Sequence, residues 1–163
     1  MQAVVIYDSQ FGNTERIAKT IAQGLEEQAS VAVLPVSDAL EQAPERPDML
    51  LVGGPTQRHG MSSPLSAFLE GLAPDQLGAA RVATFDTRYR MTTLLAGSAA
   101  TQAAGRLRRA GCRLVAPPES FFIERDRPPR GEKRRHEIEH LEPGELERAR
   151  EWGRALVAAT APD

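Results

Sequence analysis

The sequence has little cysteine, few aromatic residues and no long apolar run, and these shortages exclude several classes of protein. One cysteine in 163 residues cannot form a disulfide within the chain, which is typical of proteins in a reducing compartment. No apolar run approaches the ~18 residues that a transmembrane helix needs. The first residues, Met-Gln-Ala, lead directly into a strand-like segment, so no signal peptide is expected. These features predict a cytoplasmic protein without a membrane span.

Basic and acidic residues are nearly balanced in number. The net charge of −2 and the isoelectric point of about 6.0 give no overall attraction to nucleic acid. Charged residues make up 26% of the chain and hydrophobic residues 41%, which is typical of a globular protein. The length of 163 residues suits one domain, so residues 1–163 are expected to form a single unit.

One basic segment departs from this balance. Residues 125–135 contain six Lys and Arg against two acidic residues, a net charge of +4, which leaves −6 on the rest of the chain. The segment belongs to an expected insertion at about 125–140. Loops that bind single-stranded nucleic acid combine basic residues with aromatic ones, whereas this segment lacks aromatics and contains proline and glycine. A solvated loop is the favoured interpretation, and docking of a partner stays as the alternative.

Strand-like and helix-like segments alternate along the chain. This alternation predicts a parallel sheet with helices on both faces. The predicted strands are residues 2–7, 30–36, 49–52, 81–85 and 112–116, with an extra short strand at 120–124. The predicted helices are residues 13–28, 63–71, 98–110 and 145–158, and a short helix is expected in the connector that contains Pro44 and Pro47.

The turn after the first strand has the composition of an anion-binding site. Ligands of open parallel sheets bind beyond the carboxyl ends of the strands, where a following helix points free N–H groups at them. Glycine lets the backbone approach an anion, and hydroxyl groups add donors. The turn lacks the lysine of a nucleoside triphosphate loop and the G-x-G-x-x-G of a dinucleotide site, so one terminal phosphate is the predicted ligand. Its residues are Ser9, Gln10, Phe11, Gly12, Asn13 and Thr14.

A plain helix cap and a phosphorylated aspartate are the two alternatives to a phosphate-binding turn. Asn13 could simply cap the helix while Gly12 turns the chain, and this structural role stays open. Asp8 suggests the phosphorylated aspartate of a receiver domain, which has the same sheet topology. Receiver domains also need an acidic pair at the first strand and a lysine after the fifth, where this chain has Ala116-Pro117. Receiver chemistry is therefore not expected.

Four segments together resemble the flavodoxin family over almost the whole chain. VIYDSQFGNTERIAKTI resembles the family's phosphate-binding segment, and LLVGGPTQRHGMSSPLSAFLEGL resembles its loop after the third strand. VATFDTRYRM stands where the loop after the fourth strand is expected, and PGELERAREWGRAL resembles the end of the family's chains. The resemblance implies a three-layer α/β sandwich whose five-stranded parallel sheet has the order 2-1-3-4-5. The family itself exemplifies that order with FMN at the switch point.

The resemblance also implies which residues hold FMN. Ser9–Thr14 would hold the phosphate, while the loops after the third and fourth strands would clasp the isoalloxazine ring. A flavin ring needs flat apolar cover and backbone donors and acceptors at its edge. No side chain is expected to be catalytic or to bind a metal. The residues implied in the two ring loops are Pro55, Thr56, Gln57, Arg58, His59, Gly60, Asp86, Thr87, Arg88 and Tyr89.

The chain departs from the family in the aromatic cover of the ring. Flavodoxins usually stack the ring between aromatic side chains of these two loops. Tyr89 is available here, but Gln57, Arg58 and His59 occupy the other loop, and the single tryptophan, Trp152, lies in the last helix. A positive Arg58 beside the flavin would favour its anionic reduced form and raise the potential. FMN binding is still expected, whereas a strongly reducing carrier is not.

Several loop residues keep two interpretations. His59 could donate a proton to the flavin or be solvated, and Arg88 and Arg90 could flank the ring or be hydrated. The peptide at Gly60 could reorient when the flavin is reduced, or the glycine could only complete a tight loop. Cys112 is expected to be a packed small side chain and not a nucleophile.

Three functions are compatible with these features. The first is an FMN-binding electron-transfer protein that takes electrons from a flavin reductase and passes them to an unidentified redox partner. The second is an FMN-dependent oxidoreductase acting on a quinone or a porphyrinogen-like substrate, with Arg58, His59 and Arg88 as substrate contacts. The third is an interaction module that kept the fold and lost the flavin. The sequence predicts no oligomeric state.

Overall fold

Alternating buried strands and amphipathic helices form an α/β fold in the computed structural model. The structure describes residues 1–44, 46–57, 60–72, 77, 79–91, 97–125 and 139–159. The strands described are β1 (Gln2–Tyr7), β2 (Ser30–Pro35), β3 (Met49–Pro55), β4 (Arg81–Tyr89), β5 (Arg113–Leu114), β6 (Glu119–Arg125) and β7 (Glu139–Leu141). The helices described are α1 (Asn13–Leu25), α2 (Val36–Gln42), α3 (Ser63–Gly71), α4 (Ala99–Arg109) and α5 (Glu145–Ala158).

The sheet has the strand order β2-β1-β3-β4-β6-β7, with β5 paired to the start of β4. Strands β1 to β4 are all parallel, and β1 lies between β2 and β3. Helices cover both faces of the sheet. The predicted fold class and the predicted order of the first four strands are therefore confirmed.

The fifth position of the sheet is divided between two strands. The predicted strand 112–116 is reduced to the two residues of β5, and the predicted extra strand is β6, which continues along the same edge of β4. Pro117 and Pro118 stand between the two strands, and proline has no N–H to donate to a ladder. Parallel pairing therefore stops at Leu114 and resumes at Glu119.

Strand β4 is longer than predicted because β6 pairs with its second half. Residues Phe85 to Tyr89 lie opposite Glu119 to Ile123. The residues predicted as a loop after the fourth strand, 86–89, therefore belong to the strand itself. A position on a strand fixes their backbone more firmly than a loop would.

A short antiparallel strand, β7, completes the edge of the sheet. It pairs Ile123 with Leu141 and Arg125 with Glu139. The sequence did not predict it, since three residues are too few to show a period. Its first residue proves to contact the site described below.

The side chains on the two faces of β1 belong to two separate apolar clusters. Ala3, Val5 and Tyr7 point to the face covered by α1 and α5. Val4 and Ile6 point to the opposite face, against residues of α2, α3 and α4. This second face also contains a cavity of about 340 Å³ between the sheet, α2 and α3.

Helices α1 and α5 pack closely at two glycines. A Cβ on Gly24 would collide with the carbonyl oxygen of Arg150, and a Cβ on Gly153 would collide with that of Ile21. Both glycines therefore allow the helix backbones to touch. Since α1 starts at the predicted phosphate-binding turn, its packing against α5 helps to fix the position of that turn.

None of the helices described is both long enough and apolar enough to cross a membrane.

Candidate functional site

The carboxyl ends of β1, β3 and β4 bring the predicted site residues together. The turn after β1 is closed by Gly12, whose N–H donates to the hydroxyl oxygen of Ser9 at 3.1 Å. Gly12 has φ of 85°, a left-handed conformation that favours glycine, and α1 begins at the next residue. The Phe11 side chain is 69% exposed. No described side chain caps the start of α1, so the N–H groups of its first turn have no capping side-chain acceptor there.

The first turn of α1 lies against β4. The hydroxyl groups of Thr14 and Thr87 are 2.7 Å apart, and both side chains are buried. Asn13 is also buried, although it does not cap the helix. Thr14, one of the residues that the sequence assigned to the phosphate, therefore sits at the junction of α1 and β4.

The loop after β3 is held to β4 and to the phosphate turn. The backbone N–H of Thr56 donates to the Thr87 carbonyl oxygen at 3.0 Å. Gln57 and Gly60 exchange two backbone hydrogen bonds of 2.8 Å. The Gln57 amide donates to the Gln10 side chain at 2.8 Å. Pro55 ends β3 opposite Thr87, while Arg58 and His59 lie outside the described residues.

Gly60 approaches α4 closely. A Cβ at this position would lie 2.5 Å from Oε1 of Gln102, which accepts a hydrogen bond from the Met61 N–H at 3.1 Å. A side chain at position 60 would therefore have to displace the end of the Gln102 side chain. The role of Gly60 in a peptide reorientation stays a prediction.

Asp86, on β4, is buried completely. Its Oδ2 accepts hydrogen bonds from the Thr56 hydroxyl at 2.9 Å, the Ser98 hydroxyl at 2.7 Å and the Ala100 N–H at 3.1 Å. Ser98 is in turn the N-cap of α4, accepting from the Thr101 N–H at 3.1 Å. The carboxylate thus connects the end of β3, the end of β4 and the start of α4.

Arg88 turns back onto the sheet. Its Nε donates to the Ser120 hydroxyl at 3.0 Å and its Nη1 to the Met91 carbonyl oxygen at 2.8 Å. The side chain is 11% exposed, and its Nε lies 3.8 Å from Oδ1 of Asp86. The interpretation of Arg88 as a hydrated loop residue does not fit these contacts. Arg90 is instead exposed and pairs with Glu142 at 2.7 Å.

Tyr89 is fixed by two charged side chains. Its hydroxyl donates to the Glu139 carboxylate and accepts from Arg125, whose guanidinium lies 4.8 Å from the centre of the Tyr89 ring. Arg125 and Glu139 also form an ion pair of 3.0 Å. Burial, together with the bond to Glu139, raises the pKa of Tyr89 to about 12. The phenol therefore stays neutral at physiological pH.

Glu139 also reaches the phosphate turn. Its carbonyl oxygen accepts a hydrogen bond from the Asn13 side chain at 3.1 Å. The insertion expected at about 125–140 was predicted to be solvated, yet its two ends, Arg125 and Glu139, contact the site. Residues 126–138, which carry most of the basic charge, lie outside the described residues.

Sequence reasoning missed Arg125, Glu139, Ser98 and Gln102. Ser98 had a signal, since a serine directly before an apolar helix is a typical N-cap. The others contact the site only because distant strands and helices meet there. Within the described residues, no group of three His, Cys, Asp or Glu is placed to hold a metal ion. Burial raises the pKa of the Cys112 thiol, which packs against the opposite face of the sheet, so it stays a thiol as expected.

The site combines two kinds of binding surface. The first turn of α1 offers backbone donors and hydroxyl groups, which suit an anion. The ends of β3 and β4 offer peptide edges and the Tyr89 ring, which suit a flat polar heterocycle. Trp152 takes no part, because it packs edge-on against Phe85 and Phe121 under the sheet.

Comparison with known proteins agrees with this fold. A model of the flavodoxin family matches residues 5–152. A flavodoxin from the domain Archaea superposes with a TM-score of 0.73 at 20% identity, covering 97% of both chains. A short-chain flavodoxin associated with a non-canonical PDU bacterial microcompartment superposes with a TM-score of 0.70 at 18% identity, covering 99% of both chains.

The same fold occurs inside larger proteins. Rubredoxin oxygen:oxidoreductase from Desulfovibrio gigas superposes with a TM-score of 0.67 at 17% identity, and the match covers 99% of this chain and 37% of the other. No curated protein matches the sequence.

Proposed function

The chain belongs to the flavodoxin family, and from that premise we propose that it is an electron-transfer protein that binds FMN at the carboxyl ends of β1, β3 and β4. It takes electrons from a flavin reductase and passes them to a second redox protein. The observation that carries the proposal is the first turn of α1, which has no side-chain cap and lies beside the buried Thr14 hydroxyl.

The turn fits the phosphate of FMN by its charge and its donors. A phosphate monoester at a helix N-terminus is stabilised by the helix dipole and by the free N–H groups. Ser9, Asn13 and Thr14 add side-chain donors, and Gly12 leaves the approach open because nothing lies within 4 Å of its Cβ position. The turn offers a place for one phosphate, so FMN is preferred to riboflavin and to FAD.

The loops after β3 and β4 receive the ring. FMN supplies the electron chemistry when it is bound, and the protein supplies binding and orientation. The described residues 55–57 and 60 and the end of β4, 86–89, border the proposed ring site, where Thr56, Gln57 and Gly60 fix the backbone and Tyr89 gives aromatic cover. No side chain acts as a nucleophile.

The proposal is tested by comparing FMN with riboflavin as ligands of the purified protein. FMN at 100 times its dissociation constant should raise the free energy of unfolding by about 2.7 kcal/mol, measured by thermal or chemical unfolding. Riboflavin has the same ring without the phosphate and should bind much more weakly. Equal affinity for the two would refute the phosphate site, and failure of both to bind would leave an interaction module as the function.

A Thr14→Val substitution tests the same site at one hydroxyl. Hydrogen bonds to charged groups contribute ~1.5–3 kcal/mol, so the affinity for FMN should fall by roughly ten- to a hundred-fold. The matched control is Thr20→Val in the same helix, because the Thr20 hydroxyl donates to the Arg16 carbonyl oxygen, away from the helix start. The control should bind FMN as the wild type does.

An enzyme acting on a quinone or a porphyrinogen-like substrate is less well supported. That function requires Arg88 to contact the substrate. The Arg88 guanidinium instead donates hydrogen bonds to the Ser120 hydroxyl and the Met91 carbonyl oxygen. Rapid oxidation of NADPH in the presence of a quinone and the FMN-loaded protein would favour it over the electron carrier.

A further inference from the structure

Asp86 is a charged residue whose two oxygens have very different surroundings. The Oδ2 atom accepts three hydrogen bonds, from Thr56, Ser98 and Ala100. The Oδ1 atom is buried and accepts none from any described residue. The guanidinium of Arg88, 3.8 Å from Oδ1, is the cation beside it. Burying a charge without a partner is costly, so the two side chains stabilise each other as a pair.

Asp86 connects the residue that follows β3 with the start of α4. Ser98, the N-cap of α4, is bonded to Asp86 on β4. The Thr56 hydroxyl donates to Asp86 and accepts from the Ala99 N–H at 2.9 Å, so the loop after β3 is tied to the same point. One carboxylate therefore holds the residue that follows β3 against the start of α4.

We propose that Asp86 is a positioning residue that joins the end of β3 to the start of α4, and that the Asp86–Arg88 pair sets the reduction potential of the flavin. The second half rests on the proposed binding of FMN. The sequence assigned Asp86 and Arg88 to direct contact with the ring. The geometry assigns them to the layer beneath it, where their opposite charges nearly cancel.

The pair acts on the potential through its charges. Reduction adds negative charge to the flavin, so a nearby negative side chain disfavours the reduced form and a positive one favours it. Removing the charge of Asp86 leaves Arg88 buried and unbalanced, which should raise the potential. Removing the charge of Arg88 leaves Asp86 unbalanced, which should lower it. A unit charge near the ring, at an effective dielectric constant of about 20, changes the ratio of reduced to oxidised affinity by about tenfold.

The decisive experiment measures this ratio in FMN-loaded Asp86→Asn, Arg88→Met and the double variant. A tenfold change corresponds to about 30 mV for the two-electron couple. Asp86→Asn should shift the potential upward, Arg88→Met downward, and the double variant should return close to the wild type. Asp48→Asn is the matched control, since Asp48 lies at the opposite end of the sheet and accepts from the Gln2 N–H. It should leave the potential unchanged.

A merely structural role predicts a different pattern. Both redox forms of FMN would then bind more weakly by the same factor, and the potentials of all variants would equal that of the wild type. That result would overturn the electrostatic half of the proposal. If Asp86→Asn does not fold, the sign of the shift in Arg88→Met decides.

The pairing of Asp86 with Arg88 is tested without FMN. Chemical unfolding of the apo protein through the same double-mutant cycle should show coupling between the two residues, equivalent to about tenfold in the unfolding equilibrium constant. Independent effects of the two substitutions would overturn the pair. A wild-type protein that binds no FMN would refute the proposed function and the effect on potential, and the apo cycle would still decide on the pair.

Discussion

At the scale of single residues, the pKa of the Tyr89 phenol reveals its contact with Glu139, the first residue of β7. Its pKa is raised from 10.0 to about 12, first by burial and then by the Glu139 carboxylate. The folded state therefore keeps the proton more tightly than the unfolded chain does. This contribution to stability is fully present below pH 10 and is lost as the pH rises towards 12.

Tyr89 can be titrated alone in a Tyr7→Phe variant, because the chain contains two tyrosines. Ultraviolet absorbance should show the phenolate only near pH 12. An added Glu139→Gln substitution should lower this pKa, since it removes the carboxylate and leaves the burial. Circular dichroism at each pH serves as the control for folding. An ordinary tyrosine titration in both proteins would contradict the contact with Glu139.

At the scale of secondary-structure elements, the contact between α1 and α5 depends on Gly24 and Gly153. A Gly153→Ala substitution should lower the free energy of unfolding by about 3 kcal/mol, because the new Cβ collides with the carbonyl oxygen of Ile21. The affinity for FMN should fall as well, since α1 carries the phosphate turn. Chemical unfolding and FMN titration measure the two effects.

Gly105→Ala is the matched control for that substitution. Gly105 lies inside α4, where a Cβ would meet only Nη2 of Arg109 at 3.6 Å, an ordinary contact. Alanine is the better helix former, so this variant should gain ~0.5–1 kcal/mol. Equal effects of the two substitutions would show that helix propensity, and not the helix contact, determines the result.

Several elements were predictable because local signals and the tertiary fold agree. Helix α3 has the predicted limits, 63–71, since Ser62 caps it and Pro64 stands in its first turn. Strand β1 was predictable from five consecutive apolar residues between polar neighbours. In contrast, the length of β4 depends on its partner β6, and no local pattern at residues 86–89 shows that pairing.

The candidate site was predictable in its location and not in its contacts. The turn Ser9–Thr14 carries a local signature, and so do the glycines after β3. The three donors on Asp86 come from positions 56, 98 and 100, and only the folded sheet brings them to one oxygen. Glu139 reaches Asn13 across 126 positions of the chain, a separation over which local spacing carries no signal.

At the scale of the whole molecule, the two faces of the sheet differ in how firmly they are covered. One face is covered by α1 and α5, which bury many side chains between them. The other face includes α2, a helix of seven residues in which Ala39 alone is buried, next to a cavity of about 340 Å³. The free energy of local opening is therefore expected to be lower for the helices on the second face than for α1 and α5.

Native-state hydrogen exchange should reveal this difference. The amides of α2 should open at a lower free energy than those of α1 and α5, which should exchange only with global unfolding. Increasing denaturant should lower the opening free energy of the α1 and α5 amides strongly and that of the α2 amides little. If α2 amides follow global unfolding as well, the two faces form one cooperative unit and this expectation is wrong.

The contact between α1 and α5 also has a consequence for the synthesis of the chain on the ribosome. The side chains of Gln23 and Arg150 that meet in it are 127 positions apart. At a translation rate of ~5–20 residues per second, roughly 6–25 seconds pass between the appearance of the first and the second. During that interval the apolar side of α1 has no α5 to cover it. The nascent chain therefore exposes this apolar surface until the last helix has been synthesised.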